Sequence, residues 1–533
     1  MDNRISYTGR PIRDPDRFLA TLPRMGVEKA SLFCLDAGGS GGMTLAIVTT
    51  LAVLAVMLAT YLMFRVIGTR RHTLLLTADE KSRWDDTVVR RVGNPLVVAS
   101  LVGTLTSLAT AYLFFIGTSK VFGYWILVCP VSIFVGGFVT NRITSRVLSS
   151  EHLRSRITGL SQQSGVIARL FWTSDVANMR VSRAVKWISI ISIAGIIWLE
   201  FALFSDVLGL LLGIDQLLIR ASICGFSAFV VTHFTIRFGL RGFVFADAFH
   251  SPLLVLAAIA IAVTTAVHFA QSQTTPFDGA VIRTLVTPLV DTTSGLLFVG
   301  HVLVLNAFLV VFTEAHWLRL WALTERPVIS QQLAGTGSTA LVWLVLSVCG
   351  LLAFGITGTV GENAVADLLA RFGENGIVAV TIFWLGAAAA LFSTADTQIY
   401  SLLLVSRFDP LSGQIDDAQF ANMRPALIAG IAAALFFGLY WAARESQVPF
   451  EKIIFIIIPF TLNLMPAFAA LLFRRRPSAL LVTLSLLGYM AFATLGFLQA
   501  ADEFTMTLSA SLVPIVVSLF VWLCPRESVE NGR

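Results

Sequence analysis

Long apolar segments alternate with short polar ones along most of the chain. From Met43 onward, runs of about 20 apolar residues recur, and each is long enough to cross a bilayer as a helix. The pattern predicts thirteen spans, at residues 43–67, 96–118, 124–143, 187–212, 217–236, 246–269, 286–312, 338–357, 376–405, 425–443, 452–473, 478–498 and 507–524. Residues 1–42 contain no such run and are predicted to be a polar tail. We therefore expect an all-α, multi-pass protein of the cell membrane.

The basic residues predict how these spans are oriented. Of the 38 Lys and Arg residues, 25 lie in the loops after odd-numbered spans and at most six in the loops after even-numbered spans. Because basic loops stay in the cytoplasm, the C-terminus is predicted to be cytoplasmic and the N-terminus outside. The long basic segment 142–186 is predicted to include a helix on the cytoplasmic surface, against lipid headgroups. Residues 361–373 are predicted to form a short helix on the outer side.

Composition agrees with a membrane protein and argues against other classes. Hydrophobic residues make up 56% of the chain and charged residues 13%, whereas soluble domains carry roughly 25% charged residues. The net charge of +6 is explained by the basic cytoplasmic loops, so no nucleic-acid partner is expected. The five cysteines and seven histidines show no zinc-binding spacing, and no motif of an enzyme is present.

Polar residues cluster inside the ninth span, in the stretch ALFSTADTQIYSLLL (Ala390–Leu404). On a helix, one face would carry Ala390, Ser393, Thr394, Thr397 and Ser401. Hydroxyl and carbonyl oxygens on one face suit a small hard cation such as Na⁺, whereas a transition metal prefers imidazole or thiolate. The same face would also suit a close helix–helix interface. The spacing alone leaves both interpretations open.

The second and seventh spans both combine internal glycines with scattered polar residues, and they lie five spans apart. Because five is odd, two successive five-span units would be inverted relative to each other, as in transporters whose broken helices meet at the binding site. The predicted units are residues 96–269 and 286–473. Residues 43–67 would form an additional first helix, and residues 478–524 two C-terminal helices.

Three segments are similar to motifs of the sodium/solute symporter family. They are GLRGFVFADAFHSPLLVLA (Gly239–Ala257), AALFSTADTQIYSLLLVSRFDP (Ala389–Pro410) and EAHWLRLWALTERPV (Glu314–Val328). The resemblance covers roughly residues 43–500 and implies the inverted-repeat fold of LeuT-type transporters. The sequence departs from the family pattern at Ala246, where Thr is usual, and at His250, where Gln is usual.

The resemblance also implies a sodium site between the second, sixth and ninth spans. Its hydroxyl ligands would be Ser393 and Thr394. Carbonyl ligands would come from Ala390 on the ninth span and from Ser107 and Thr110 on the second. Asp247 on the sixth span would support sodium binding from nearby.

The half-helices of the second and seventh spans are predicted to bound a substrate pocket, whose candidate residues are Leu113, Phe114, Gly117, His301 and Asn306. Apolar residues stand before Gly117, where sugar-transporting relatives place polar side chains, so we expect a small solute with one charged end. A carboxylate could be held by backbone N–H groups, with His301 or Asn306 as a side-chain donor. Equally, those two side chains could bond to neighbouring helices.

We therefore expect a sodium-coupled symporter that imports an amino acid or small carboxylate by alternating access. The alternative is a symporter-like membrane sensor that works with a separate signalling partner. A channel is disfavoured because no filter-like repeat is present. The expected partners are the solute, Na⁺ and the lipid bilayer, and the sequence leaves the oligomeric state open.

Overall fold

The computed structural model describes residues 40–67, 99, 102–107, 115–151, 153–154, 166–272, 279–323, 329–359, 362–375, 377–415, 424–446, 450–499 and 503–526. Its helices in the first half are α1 (Ser40–Ile67), α2 (Thr118–Phe122), α3 (Val128–Ser149), α4 (Ile167–Leu170), α5 (Val176–Leu211), α6 (Leu217–Ser272), α7 (Gly279–Val286) and α8 (Thr292–Phe312). Those in the second half are α9 (Glu314–Leu323), α10 (Ile329–Thr357), α11 (Glu362–Asn375), α12 (Ile377–Arg407), α13 (Pro425–Glu445), α14 (Phe450–Ile457), α15 (Met465–Leu472), α16 (Ala479–Leu498), α17 (Thr505–Ala510) and α18 (Val513–Leu519).

Short elements complete the described part of the chain. Three 3₁₀ segments cover Gly123–Leu127, Ile458–Leu464 and Phe520–Leu523. One two-residue strand, β1 (Phe408–Asp409), pairs antiparallel with β2 (Gln414–Ile415) just after α12. A single helical turn at residues 102–105 belongs to the predicted second span. The protein is therefore nearly all α, as the sequence predicted.

Eleven helical segments of the described residues are long and apolar enough to cross a membrane. They are Phe115–Ser149, Val176–Leu210, Leu217–Arg237, Phe249–Ser272, Thr292–Leu318, Leu333–Thr357, Ile377–Arg407, Pro425–Glu445, Phe450–Leu472, Ala479–Leu498 and Thr505–Leu523. These segments correspond to the third to thirteenth predicted spans. The first predicted span lies in α1, where Ile47–Leu62 forms a shorter apolar stretch. Of the second, 96–118, only residues 99, 102–107 and 115–118 are described.

The core forms where the longest helices pack on one another. Helix α6 packs against α12 and α13, α5 against α12, and both α8 and α10 against α3. Helix α1 packs on α6 and α12. The starts of two of these helices follow from capping, because Asp175 accepts from the Ala177 N–H at 3.2 Å and Asp291 from the Ser294 N–H at 3.0 Å.

Two local predictions differ from the structure between the third and sixth spans. Residues 155–165 of the predicted surface helix lie outside the described residues. Its end, residues 166–171, is covered by protein and not by lipid headgroups, since Val166, Ile167 and Ala168 are fully buried and Phe171 packs edge-on against Phe468 at 5.4 Å. An amphipathic pattern fits either a lipid surface or a protein groove, and here the protein covers the apolar face. The predicted loop between the fifth and sixth spans is helical, because α6 runs without interruption from Leu217 to Ser272.

The predicted short helix at residues 361–373 is confirmed as α11 (Glu362–Asn375). Its apolar side is buried against the other helices, with Leu369 and Phe372 fully covered. The aromatic ring of Phe372 lies 5.1 Å from the imidazole of His268 on α6. Helix α11 is therefore part of the helical core rather than a detached loop element.

The eleventh predicted span is interrupted, whereas the prediction that the seventh span breaks at its internal glycines is wrong, because its break comes only after the predicted end at residue 312. Helix α8 continues through Gly295 and Gly300 and ends at Phe312; Thr313 is extended, and α9 begins at Glu314. Gly295 allows close packing, since an added Cβ would lie 2.6 Å from Cε2 of Trp125. In the eleventh span a 3₁₀ segment that contains Pro459 separates α14 from α15, and such segments often mark hinges.

A buried ion pair joins α5 to α13. Arg444 pairs with Asp206, whose side chain is fully buried, and the Tyr440 hydroxyl donates to the second carboxylate oxygen at 2.5 Å. The Arg444 guanidinium also lies over the Phe450 ring, 5.2 Å from its centroid. A carboxylate inside an apolar core requires such partners, so this cluster fixes the ends of α5 and α13 relative to each other.

Candidate functional site

The site is built on the polar face of α12. Every residue from Gly386 to Ser401 is buried inside the protein. These residues include Ser393, Thr394 and Thr397, whose polar side chains would not be expected in a hydrocarbon core. Further along this face the Ser401 hydroxyl donates to the Thr397 carbonyl at 2.8 Å. Ser393 and Thr394 instead turn to other elements, which makes them available to a site between helices.

Helix α6 supplies a carboxylate to this face. The Ser393 hydroxyl donates to Oδ1 of Asp247, and both residues are fully buried. A hydroxyl that donates its proton keeps lone pairs that can face a cation. A buried carboxylate supplies a negative charge that offsets the positive charge of that cation. The two residues therefore bring together the oxygen atoms and the charge that a small cation needs.

The second predicted span approaches the same point from the other side. Its helical turn, residues 102–105, is followed by a bend at Thr106. The Thr394 hydroxyl lies 3.5 Å from the Gly103 carbonyl. An added Cβ on Gly103 would lie 2.9 Å from the Ser251 hydroxyl and closer still to that of Ser393. Only glycine allows the backbone to come this close to the two hydroxyl groups.

The structure thus brings together three of the six predicted sodium-site residues. Ser393, Thr394 and Asp247 lie around Gly103, and Ala390 is buried one turn earlier on α12. Ser107 is buried directly after the bend in the second span, whereas Thr110 lies outside the described residues. Gly103 and Ser251 were missed by the sequence prediction; the small residues in VASLVGTLTS and FHSP were their only signal.

The chemistry of this donor set fits an alkali cation better than a transition metal. It consists of hydroxyl and carbonyl oxygens with one carboxylate, the hard oxygen ligands that such cations prefer. In the described part of the chain, no group of three or more His, Cys, Asp or Glu residues is placed to hold a metal ion. The structure therefore allows the cation type predicted from the sequence.

The candidate substrate residues have different surroundings. Gly117 is buried beside Phe115, whose ring lies 5.1 Å from that of Trp343. The Asn306 amide donates to the Ser132 hydroxyl on α3 at 2.7 Å, and the His301 ring packs edge-on against Phe455 at 5.3 Å. Both side chains on α8 thus contact neighbouring helices. Leu113 and Phe114 lie outside the described residues.

The start of α9, directly after the break that follows α8, rests on the buried segment that contains α4. Oε2 of Glu314 accepts from the Ile167 N–H at 2.7 Å, and both residues are fully buried. Next to it, His316 and Thr144 are hydrogen-bonded at 3.0 Å. Glu314 therefore connects the start of α9 to α4, a role that its position in the sequence did not indicate.

The same segment also contacts the hairpin that follows α12. The Trp172 indole donates to the Pro410 carbonyl at 2.9 Å, and beside it Lys186 on α5 donates to the Phe408 carbonyl at 2.7 Å. Within the hairpin, hydrogen bonds from the Leu411 N–H and from Ser412 hold the pKa of Asp409 below its ordinary value. Residues 166–172 thus link the break after α8 to the end of α12.

Comparison with known proteins identifies the fold. No protein-family model matches the chain, and no curated protein sequence matches it. Among solved structures, a Na⁺-coupled sialic acid symporter in a substrate-bound outward-open state has a TM-score of 0.57 and 15% identity, over 90% of this chain and 98% of that chain.

Two further solved structures are less similar. MhsT in complex with L-phenylalanine has a TM-score of 0.44 and 14% identity, over 80% of this chain and 97% of that chain. Mhp1, a nucleobase-cation-symport-1 family transporter, has a TM-score of 0.41 and 15% identity, over 81% of this chain and 93% of that chain. The chain has a LeuT-type transporter fold, as predicted. Its place in the sodium/solute symporter family stays a prediction.

Proposed function

We propose that the protein is a secondary transporter that carries a small organic solute across the cell membrane together with Na⁺. The observation that carries this proposal is the convergence of Ser393, Thr394 and Asp247 on the Gly103 backbone, in a fold similar to that of a Na⁺-coupled symporter. Sodium would bind between α12 and the second span. It would offset the charge of Asp247 and hold the two elements together.

Alternating access would follow from movement of the two predicted repeats, residues 96–269 and 286–473, around this fixed site. Each charge that crosses 100 mV contributes about 2.3 kcal/mol, which is enough to drive uptake before any concentration gradient is added. Because Na⁺ would move down its inward gradient, the coupled movement of the solute would be an import.

For the solute we propose an amino acid or a small monocarboxylate rather than a sugar. A sugar needs several side-chain hydrogen bonds, and on α8 the Asn306 amide already donates to the Ser132 hydroxyl. A solute with one carboxylate needs fewer donors, and backbone N–H groups at a helix start can supply them.

The test is an uptake screen with the full chain in proteoliposomes. Labelled amino acids, monocarboxylates and hexoses are offered under an inward Na⁺ gradient, with choline replacing Na⁺ in the control. We expect at least one amino acid or monocarboxylate to accumulate only with Na⁺, and excess unlabelled hexose to leave its uptake intact. Equal uptake in choline would contradict sodium coupling, and strong inhibition by hexose would contradict the solute class.

A further inference from the structure

One turn of α6 holds three different elements around the candidate sodium site. Asp247 accepts from Ser393 on α12, and Ser251 donates to the Ala99 carbonyl of the second span at 2.5 Å. Between them, Nε2 of His250 is hydrogen-bonded to the hydroxyl of Thr60 on α1 at 2.9 Å. Helix α1 lies outside both predicted repeats, yet it contacts the same turn as the site.

The Thr60–His250 hydrogen bond is isolated from water. Both side chains are fully buried. Helix α1 turns its smaller residues inward, with Ala52 and Val56 buried, whereas Leu54 and Leu58 are more than half exposed on its outer face. Inside a low-dielectric core a hydrogen bond is stronger and more directional than in water. Thr60 therefore fixes where the His250 ring lies.

The position of His250 is tied to that of the sodium-site residues. On a helix, residues three apart differ by about 60° in direction and about 4.5 Å in height, so a rotation that moves His250 also moves Asp247. The His250 ring also packs against that of Phe392 at 6.2 Å, directly before Ser393. Movement of the ring would thus disturb both residues of the Asp247–Ser393 contact.

We propose that α1 helps to form the sodium site: Thr60 and His250 are positioning residues that hold Asp247 against Ser393. This inference rests on the proposed function, since it deepens the sodium site of that transporter. Neither residue would touch the ion. Loss of their hydrogen bond would leave the site formed but less well ordered, and Na⁺ binding would then have to restore the order.

The test measures Na⁺ binding directly, as the rise in thermal unfolding temperature of the purified full chain when Na⁺ replaces choline. Thr60→Val keeps the branched shape and removes the hydroxyl. We expect it to raise the half-saturating Na⁺ concentration by about three- to tenfold, since that is the effect of losing one hydrogen bond. Thr49→Val is the matched control: Thr49 is equally buried on α1, and no hydrogen-bond partner of its hydroxyl is found in the described residues.

Variants of His250 supply a second readout. His250→Gln can still bond to Thr60 and should keep the half-saturating Na⁺ concentration near that of the wild type, whereas His250→Leu should raise it as Thr60→Val does. The inference is overturned if Thr60→Val lowers the unfolding temperature in choline but leaves the Na⁺ dependence equal to that of Thr49→Val. A wild-type chain that Na⁺ does not stabilise would instead overturn the proposed function, which separates the two failures.

Discussion

At the scale of single residues, Gly103 is where the candidate site is most sensitive to added volume. Gly103→Ala would place a Cβ against the Ser393 and Ser251 hydroxyls, so the backbone must move away and Na⁺ affinity should fall at least tenfold. Gly300→Ala is the control, because an added Cβ there meets no atom within 4 Å and alanine favours a helix. Na⁺-dependent uptake of both variants checks this prediction, and equal loss in both would contradict it.

The hydroxyl groups of Ser393 and Thr394 should each matter for Na⁺. Removing one buried ligand costs about 1–3 kcal/mol, so Ser393→Ala or Thr394→Ala should raise the half-saturating Na⁺ concentration of uptake about tenfold or more. Ser401→Ala serves as the control on the same face, because its hydroxyl already donates to the Thr397 carbonyl. A Ser401 variant as impaired as the other two would mean that the face is only a packing surface.

At the scale of secondary-structure elements, Glu314 joins the break after α8 to α4. Glu314→Ala leaves the buried Ile167 N–H without its acceptor, so it should destabilise the protein by about 1–3 kcal/mol and reduce uptake. Glu314→Gln keeps a carbonyl acceptor and should remain close to the wild type. Thermal unfolding in detergent, together with uptake, measures both effects. If Gln is as harmful as Ala, the charge of Glu314 and not its acceptor atom is what matters.

The elements also differ in how far the sequence could predict them. Ser393 and Thr394 stand out as polar residues at helical spacing in an apolar run, but their assignment to a sodium site, like that of Asp247, came from the resemblance to the sodium/solute symporter family. The Gly103–Ser251 approach and the Thr60–His250 bond join residues more than 140 positions apart, and such contacts depend on how helices pack. The burial of residues 166–171 was not predictable either, since one amphipathic pattern fits both a lipid surface and a protein groove.

At the scale of the whole molecule, the prediction is the direction in which the helices cross the membrane. In a cysteine-free chain, Asp215→Cys, at a position exposed between α5 and α6, should react with an impermeant maleimide on intact cells. Ser174→Cys, exposed just before α5, should react only after permeabilisation. Labelling of the two positions in the reverse order would invert the predicted orientation.

The buried pair between Asp206 and Arg444 has a consequence for biosynthesis. The two residues are separated by 238 positions, so at about 5–20 residues per second the ribosome adds Arg444 roughly 10–50 s after Asp206. During that interval α5 already carries a carboxylate whose exposure to lipid would cost several kcal/mol. The nascent chain must therefore protonate Asp206 or keep α5 inside the insertion machinery until α13 is made. If α5 waits in the machinery for its partner, Arg444→Leu should impair membrane integration of α5, far upstream of the substitution; normal integration of α5 in that variant would indicate that Asp206 is protonated instead.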